Sequence, residues 1–319
     1  MLAVALFGPA PAASQRSAFV IDTGSTGGTY FPIGEAIAGI VSHPPGVFRC
    51  DAPGVCGPPG VIASARTSPG TIANVIDVNG HYADAALAQS DVVADAIAGK
   101  VVFHTKQTHI RAIASLFPEE VHVVALASAH IHSIAGLRGK RVSIGEVNSG
   151  TIVTAREVLS AFHLSERDVK AVHDQADVAA GALAGGKLDA FFFTGGAPVP
   201  LVSQLIAAHK AVLLRISGAE RKRLIKANPS LAAETIAASV YPGAGAVDTV
   251  AVRAVLIVND AVPDDVVYGV TRALFHPANR DALDSSHPRG ALIRLDTALA
   301  GLPAPLHPGA VRYYRDARK

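Results

Sequence analysis

The sequence predicts a two-lobed α/β protein in which parallel strands flanked by helices converge on a ligand cleft. Three observations carry that expectation. The chain has 319 residues, more than the roughly 250–300 at which a single core stops growing, so it is long enough for two domains or one large one. Half of the residues are apolar, yet only 5% are aromatic and none is Trp, so the interior must be built from Ala, Val, Leu and Ile, the mix that suits buried parallel strands. Short β-branched or Ala-rich runs alternate with Gly/Ser/Thr turns and amphipathic Ala-rich segments, the pattern of βαβ units.

Taken in order, residues 1–14, MLAVALFGPAPAAS, read as a signal-peptide remnant or a disordered leader, because an apolar run is followed by small residues with A-x-A at Ala10-Pro11-Ala12. The basic n-region of such a signal is missing. Three strand-to-helix units follow: Ala18–Asp22 into Gly34–Val41, Val61–Arg66 into Ile72–Val78, and Ala85–Ala88 into Asp91–Ala98. A second set starts near Lys140, with strands at Arg141–Gly145, Val169–His173 and Ala190–Thr194 and helices at Thr151–Phe162 and Val178–Ala184. Two sheets are expected. Val121–Ala127 and Val250–Val258 read as crossing segments, and Pro263–Phe275 as a helix returning to the first lobe. Lobe 1 then comprises residues 18–125 and 248–319, and lobe 2 residues 126–247.

The formal net charge is +2 and 17% of residues are charged, which leaves no basic excess for a phosphate backbone and argues against nucleic acid as a partner. Apolar stretches are broken by Gly, Pro or charge well short of the ~18 residues of a membrane span, so the mature protein is expected to be soluble. Cys50 and Cys56 are the only cysteines, and Pro53-Gly54 between them supplies a turn. They read as a short-loop disulfide worth about 2 kcal/mol, which persists in an oxidising compartment and agrees with export. Zinc is the alternative, but C-x5-C with His43 nearby lacks four ligands.

Among local motifs, FVIDTGST at residues 19–26 resembles half of an aspartic-protease site. That chemistry needs two carboxylates sharing one proton, and no second Asp-Thr-Gly or Asp-Ser-Gly occurs, so Asp22 reads as a strand-end or capping residue. The turn from Thr23 to Tyr30 instead offers hydroxyls and free backbone N–H groups at a helix start, where an anion is favoured. Three more turns share this character: Thr67-Ser-Pro-Gly-Thr71, Gln89-Ser90-Asp91 and Asn148-Ser-Gly-Thr151. Ligands of open α/β sheets bind outside the carboxyl ends of strands, where such turns converge. G-x-S-x-G and H-E-x-x-H are absent, and Gly181–Lys187 departs from a P-loop because Leu188 stands where the Mg-binding hydroxyl belongs. The thirteen histidines, His130 and His132 included, are spread over many elements, so neither a metal site nor a cofactor is expected.

In sequence order these turns resemble the TAXI family of solute receptors, the extracytoplasmic binding subunits of one branch of TRAP transporters. The resemblance runs through GSTGGTYFPIG (24–34), SPGTIANV (68–75), DAALAQSDVV (84–93), IRAIASLFPEEVHVV (110–124), IAGLRGKRVSIGEVNSGTIVTAREVL (134–159), GKLDAFFFTGG (186–196), PDDVVYGVTRALF (263–275) and PLHPGAVRYYR (305–315). The Cys50/Cys56 loop looks like a bacterial subgroup of that family. The resemblance implies a type II periplasmic-binding-protein fold, two lobes joined by crossing hinge strands and closing on a ligand. It implies no reaction. It also implies periplasmic location, a carboxylate-bearing ligand such as glutamate, and handover by a monomeric receptor to TRAP membrane permease subunits.

Carried over position by position, the resemblance places Ser25, Gly28, Tyr30, Ser68, Thr71 and Gln89 on the ligand from the first lobe, and Ser149, Thr151 and Thr194 from the second. Thr26, Arg66, Gly70, Asn148 and Gly195 are further candidates. Two departures bear on this. Pro69 stands where the family often has Gly, which stiffens the turn and removes a donor. Arg66 stands where an acidic or neutral residue is common, and reads either as a charge partner for an anion or as a solvated strand-end residue. A sensory binding domain and an enzyme on the same two-lobed fold are the competing readings.

Overall fold

The computed structural model describes residues 17–318, so the leader expected at 1–14 lies outside the described residues. The chain runs β1 (Ser17–Asp22), α1 (Tyr30–Val41), β2 (Val61–Arg66), α2 (Thr71–Asn79), β3 (Ala85–Gln89), α3 (Ser90–Ala98) and the long β4 (Ile110–Leu126). There follow β5 (Arg141–Ser143), α4 (Gly150–Ala161), β6 (Lys170–Val172), α5 (Ala176–Ala184), β7 (Ala190–Gly195), α6 (Pro200–Ala207), β8 (Ala211–Leu213), α7 (Gly218–Ala227) and β9 (Ala232–Ile236). The second long strand, β10 (Val247–Asn259), leads into α8 (Asp264–Phe275), α9 (Arg280–Ser286) and α10 (Pro308–Asp316).

The expected two sheets are one. Strand order is β2-β1-β3-β10-β4-β7-β5-β6, with β8 on β4 and β9 on β10. The join is made by β4 and β10, which span 17 and 13 residues, roughly 55 and 43 Å at ~3.3 Å per residue. Ile110–Glu120 of β4 pairs with β10, Glu120–Ala125 with β7, and Val124–Leu126 with β8. Of β4, the sequence marks only Val121–Ala127 as a crossing segment, beside Val250–Val258 in β10. Pro118, Glu119 and Glu120 interrupt the apolar pattern of β4, yet the strand continues through them because β10 pairs with all three, opposite Arg253, Val252 and Ala251.

The parallel character predicted for each lobe holds within it. β1 pairs parallel with β2 and β3, and β5 pairs parallel with β6 and β7. β3 is buried along its whole length, as a strand covered by helices on both faces must be. Its Ala86 and Ala88 pack with Val75 and Val78 of α2, while Leu87 packs on the other face with Ile33 and Ile37 of α1 and Val267 of α8. Each fully buried Leu or Ile of this kind stabilises by about 1.5–3 kcal/mol. α1 starts four residues earlier than its apolar periodicity indicates, because Pro32 sits in the first turn, where the missing N–H has no helical partner to lose. Cys50 and Cys56 form a disulfide whose loop is tied to the first lobe by Asn279 Nδ2 donating to Val55 O at 2.7 Å.

Candidate functional site

The carboxyl ends of β1, β2 and β3 face those of β5 and β7 across the crossing strands, and the turns that follow them meet. After β1, Thr23 Oγ1 donates to Arg66 O at 2.8 Å and Gly28 N donates to Ser25 O at 3.1 Å, which folds residues 24–29 into a compact turn. A Cβ on Gly28 would stand 3.2 Å from Phe193 Cζ of β7, and Thr29 Oγ1 donates to Gly196 O at 3.0 Å. After β2, Gly70 adopts φ 121°, a conformation open to glycine, just before α2, and a Cβ on it would stand 3.4 Å from Ser149 Cα. Ala73 N donates to Asn148 O at 3.0 Å. At β3 the approach is closer still: a Cβ on Gly150 would lie 2.1 Å from Gln89 Oε1. The two lobes are closed upon each other.

Between them lies a cleft of about 640 Å³, its solvent mouth included. Of the residues expected to touch a ligand, Ser25, Gly28, Tyr30, Thr71, Gln89, Ser149, Thr151 and Thr194 line it, as do Gly70 and Gly195. Four do not. Ser68 Oγ lies 3.1 Å from Thr23 O and 2.5 Å from Asn74 Oδ1 and accepts from Gly70 N, so it braces the turn. Thr26 and Asn148 are exposed outside the lining. Arg66 grips the fully buried Asp22 through Nε and Nη2 at 2.6 and 2.8 Å and also reaches Asp77 at 3.2 Å, which occupies the guanidinium with the protein's own carboxylates. Asp22 is thus a structural strand-end residue.

On the second lobe, Ser149 caps α4 by accepting from Ile152 N at 3.2 Å, which turns the first N–H groups of that helix toward the cleft. Thr151 Oγ1 accepts from Thr194 N at 3.2 Å, and Thr194 Oγ1 lies 2.6 Å from Thr154 Oγ1, so these hydroxyls are held in fixed orientation. α1, α2 and α4 all begin at the cleft, through Tyr30, Thr71 and Gly150.

Sequence reasoning missed several contributors, Glu146 and Asp174 among them, and three matter most. Ser143 at the end of β5 lines the cleft with a buried Oγ that has no partner among the described residues, and Phe193 supplies an apolar wall. The third is Glu119 of β4, a buried carboxyl that lines the cleft and accepts from Tyr30 Oη at 2.6 Å. An acidic pair inside an apolar crossing strand was the available signal. Burial drives the Glu119 pKa well above the usual carboxylate range, against the pull of the Tyr30 hydrogen bond, and burial likewise raises Tyr30. Nearby Asp91 at the start of α3 is pushed up to about 7, mainly by burial and then by Glu157. Glu119, Glu146 and Asp174 line the cleft, whereas among the described residues no Lys, Arg or His does. The lining therefore offers hydroxyls, backbone N–H groups and acceptors, without a nucleophile paired to a base.

The NMT1-like family matches residues 21–317. The chain belongs to that family. Its fold is similar to that of the alkanesulfonate-binding protein SsuA from Xanthomonas axonopodis pv. citri, at 14% identity and a TM-score of 0.52 over 95% of this chain and 85% of that one. It is similar also to MatC from Rhodopseudomonas palustris with bound malate, at 14% identity and a TM-score of 0.55 over 93% and 98% of the two chains. The periplasmic binding protein BugD matches at 11% identity and a TM-score of 0.55 over 96% and 94%. This NMT1-like protein thus has the two-lobed fold of periplasmic solute-binding proteins. Among its described residues no helix is long and apolar enough to cross a membrane.

Proposed function

We propose that this NMT1-like protein is a periplasmic solute receptor that captures a small organic anion or amino acid by lobe closure and delivers it to a TRAP-type membrane permease. The observation that carries the reading is the pair of buried, unpaired polar atoms in a cleft built by both lobes: the Gln89 Oε1 acceptor and the Ser143 hydroxyl lack partners among the described residues. A buried polar atom left unpaired costs roughly 1–3 kcal/mol, so a site that keeps two of them is organised to pair them with something else. The starts of α1, α2 and α4 supply backbone N–H groups for a carboxylate, and the hydroxyls of Ser25, Thr71 and Thr151 complete a neutral cradle.

The sequence motifs quoted above support the narrower TAXI reading, and with it a TRAP permease as partner and residues 18–125 with 248–319 and 126–247 as the two lobes. The absence of a nucleophile–base pair in the lining favours capture over chemistry. A thermal-shift screen of amino acids and organic acids tests the proposal: a receptor gains stability by mass action with a solute that it leaves unchanged. Conversion of the stabilising compound would move the reading to an enzyme on this fold.

A further inference from the structure

We infer that Glu119 and Gln89 form a subsite for a protonated primary amine, so that the solute carries an ammonium group beside any carboxylate it has. This rests on the receptor reading above and deepens it. Glu119 is buried at 1% exposure and lines the cleft; its Oε2 accepts from Tyr30, and Oε1 has no hydrogen-bond partner among the described residues. Gln89, at 2% exposure, presents an Oε1 that is also unpartnered. Once Glu119 is ionised both of these oxygens accept, and an ammonium group is a compact donor of three hydrogen bonds.

Charge points the same way. The other carboxyls of the lining are Glu146 and Asp174, and among the described residues no lining side chain is basic. The groups acting on Glu119 are Tyr30 of α1, Asp91 of α3, Glu120 beside it on β4, and Arg289, whose guanidinium is bound to Glu120. An anion with no ammonium group would enter against this field, with only neutral donors to hold it. An amine ionises Glu119 and releases its proton to solvent, so amine affinity rises with pH until the amine itself deprotonates. A plain anion would need the protonated carboxyl and would bind more tightly as pH falls.

The test compares the common L-amino acids with their 2-oxo acid counterparts, which carry a carbonyl oxygen in place of the ammonium group and the α-hydrogen. Binding is followed by thermal shift and calorimetry on the full chain at pH 5 and pH 8. Expected are stabilisation by at least one amino acid, a 2-oxo counterpart at least about 100-fold weaker, tighter amine binding at pH 8, and about a 10- to 100-fold loss of amine affinity in Glu119→Gln. The pH comparison on the unaltered protein needs no variant and stands if that variant folds poorly. A 2-oxo acid that binds as well as its amine, affinity that rises toward pH 5, or unchanged amine affinity in a folded Glu119→Gln overturns the subsite. If no amino acid binds but an organic acid does, the subsite fails and the receptor reading survives; if nothing in either set binds, both fail.

Discussion

The two faces of the crossing strand β4 carry adjacent carboxyls with opposite surroundings. Glu120 receives a guanidinium, that of Arg289, and the backbone N–H of Ala197 at 2.8 Å. Glu119, one residue earlier and therefore on the other face, receives a phenol and the cleft. Burial raises both pKa values, but only for Glu120 does a bound guanidinium pull strongly downward. A buried acid with a built-in cation locks structure, whereas one without is free to answer a ligand. The hinge face, that of Glu120, is thus spent on pairing within the protein, through Arg289 and Ala197, and His287 Nε2 lies 3.0 Å from Pro198 O. The cleft face keeps its acceptors unpaired.

The contrast is broken most severely from the hinge side. Arg289→Ala leaves Glu120 buried without its countercharge and should cost about 3–5 kcal/mol of stability. Urea unfolding measures it, and Arg289→Ala combined with Glu120→Gln should recover part of the loss. Glu119→Gln, by comparison, should leave stability unchanged or higher, since the amide keeps the acceptor without the burial cost of a charge. Equal losses from the two faces would remove the distinction.

The carboxyls behind the cleft give stability a sign with pH. Asp91 titrates near 7 in the folded chain against about 4 unfolded, so between those values the folded state binds more protons. Stability from this group is fully present below pH 4, falls as pH rises toward 7, and is level above it. Asp91→Asn should flatten that slope and raise stability at pH 8 by about 2–4 kcal/mol. Matched slopes in the variant and the unaltered chain would place the titration elsewhere.

A perturbation far from both faces sharpens the contrast further. Reducing Cys50–Cys56 frees a loop packed against α8 and should cost about 2 kcal/mol in stability. Solute affinity should not change, because no atom of the loop lines the cleft. A calorimetric titration with and without reductant decides it.

Much of this was legible in the sequence, and the illegible part has physical causes. Turns after strands announce themselves, because Gly70 and the Ser/Thr runs are needed for backbone geometry before any ligand is considered. Val61–Arg66 was readable to the residue for the same reason, a β-branched and Ala run between two such turns. The single sheet was not readable, since pairing between β4 and β10 spans more than a hundred residues and leaves no local pattern. Glu119 was hidden by its position, where an acidic pair beside Pro118 looks like the end of a strand. Arg66 misled in the other direction. A basic residue at a strand end suggests an anion partner, and only the fold brings Asp22 beside it, from a parallel neighbour 44 residues away.

The smallest expected effect tests the cleft face alone. Gly150 starts α4 with space for no side chain: a Cβ would stand 2.1 Å from Gln89 Oε1 and 2.5 Å from its Cδ. Gly150→Ala must push Gln89 aside or hold the lobes apart. Alanine is the better helix former at that position, so the fold itself should be as stable as before or slightly more so. What is lost is the approach of the two lobes, and with it the aim of the Gln89 acceptor. Affinity for the solute that stabilises the unaltered protein should fall about 10-fold, equivalent to 1.4 kcal/mol. Small-angle scattering on the ligand-loaded variant then separates the two routes: a larger radius of gyration means that the lobes yielded, and an unchanged one means that Gln89 did. Undiminished affinity would show that the contact between Gln89 and Gly150 has no part in capture, and would leave the cleft face defined by Glu119 and Tyr30.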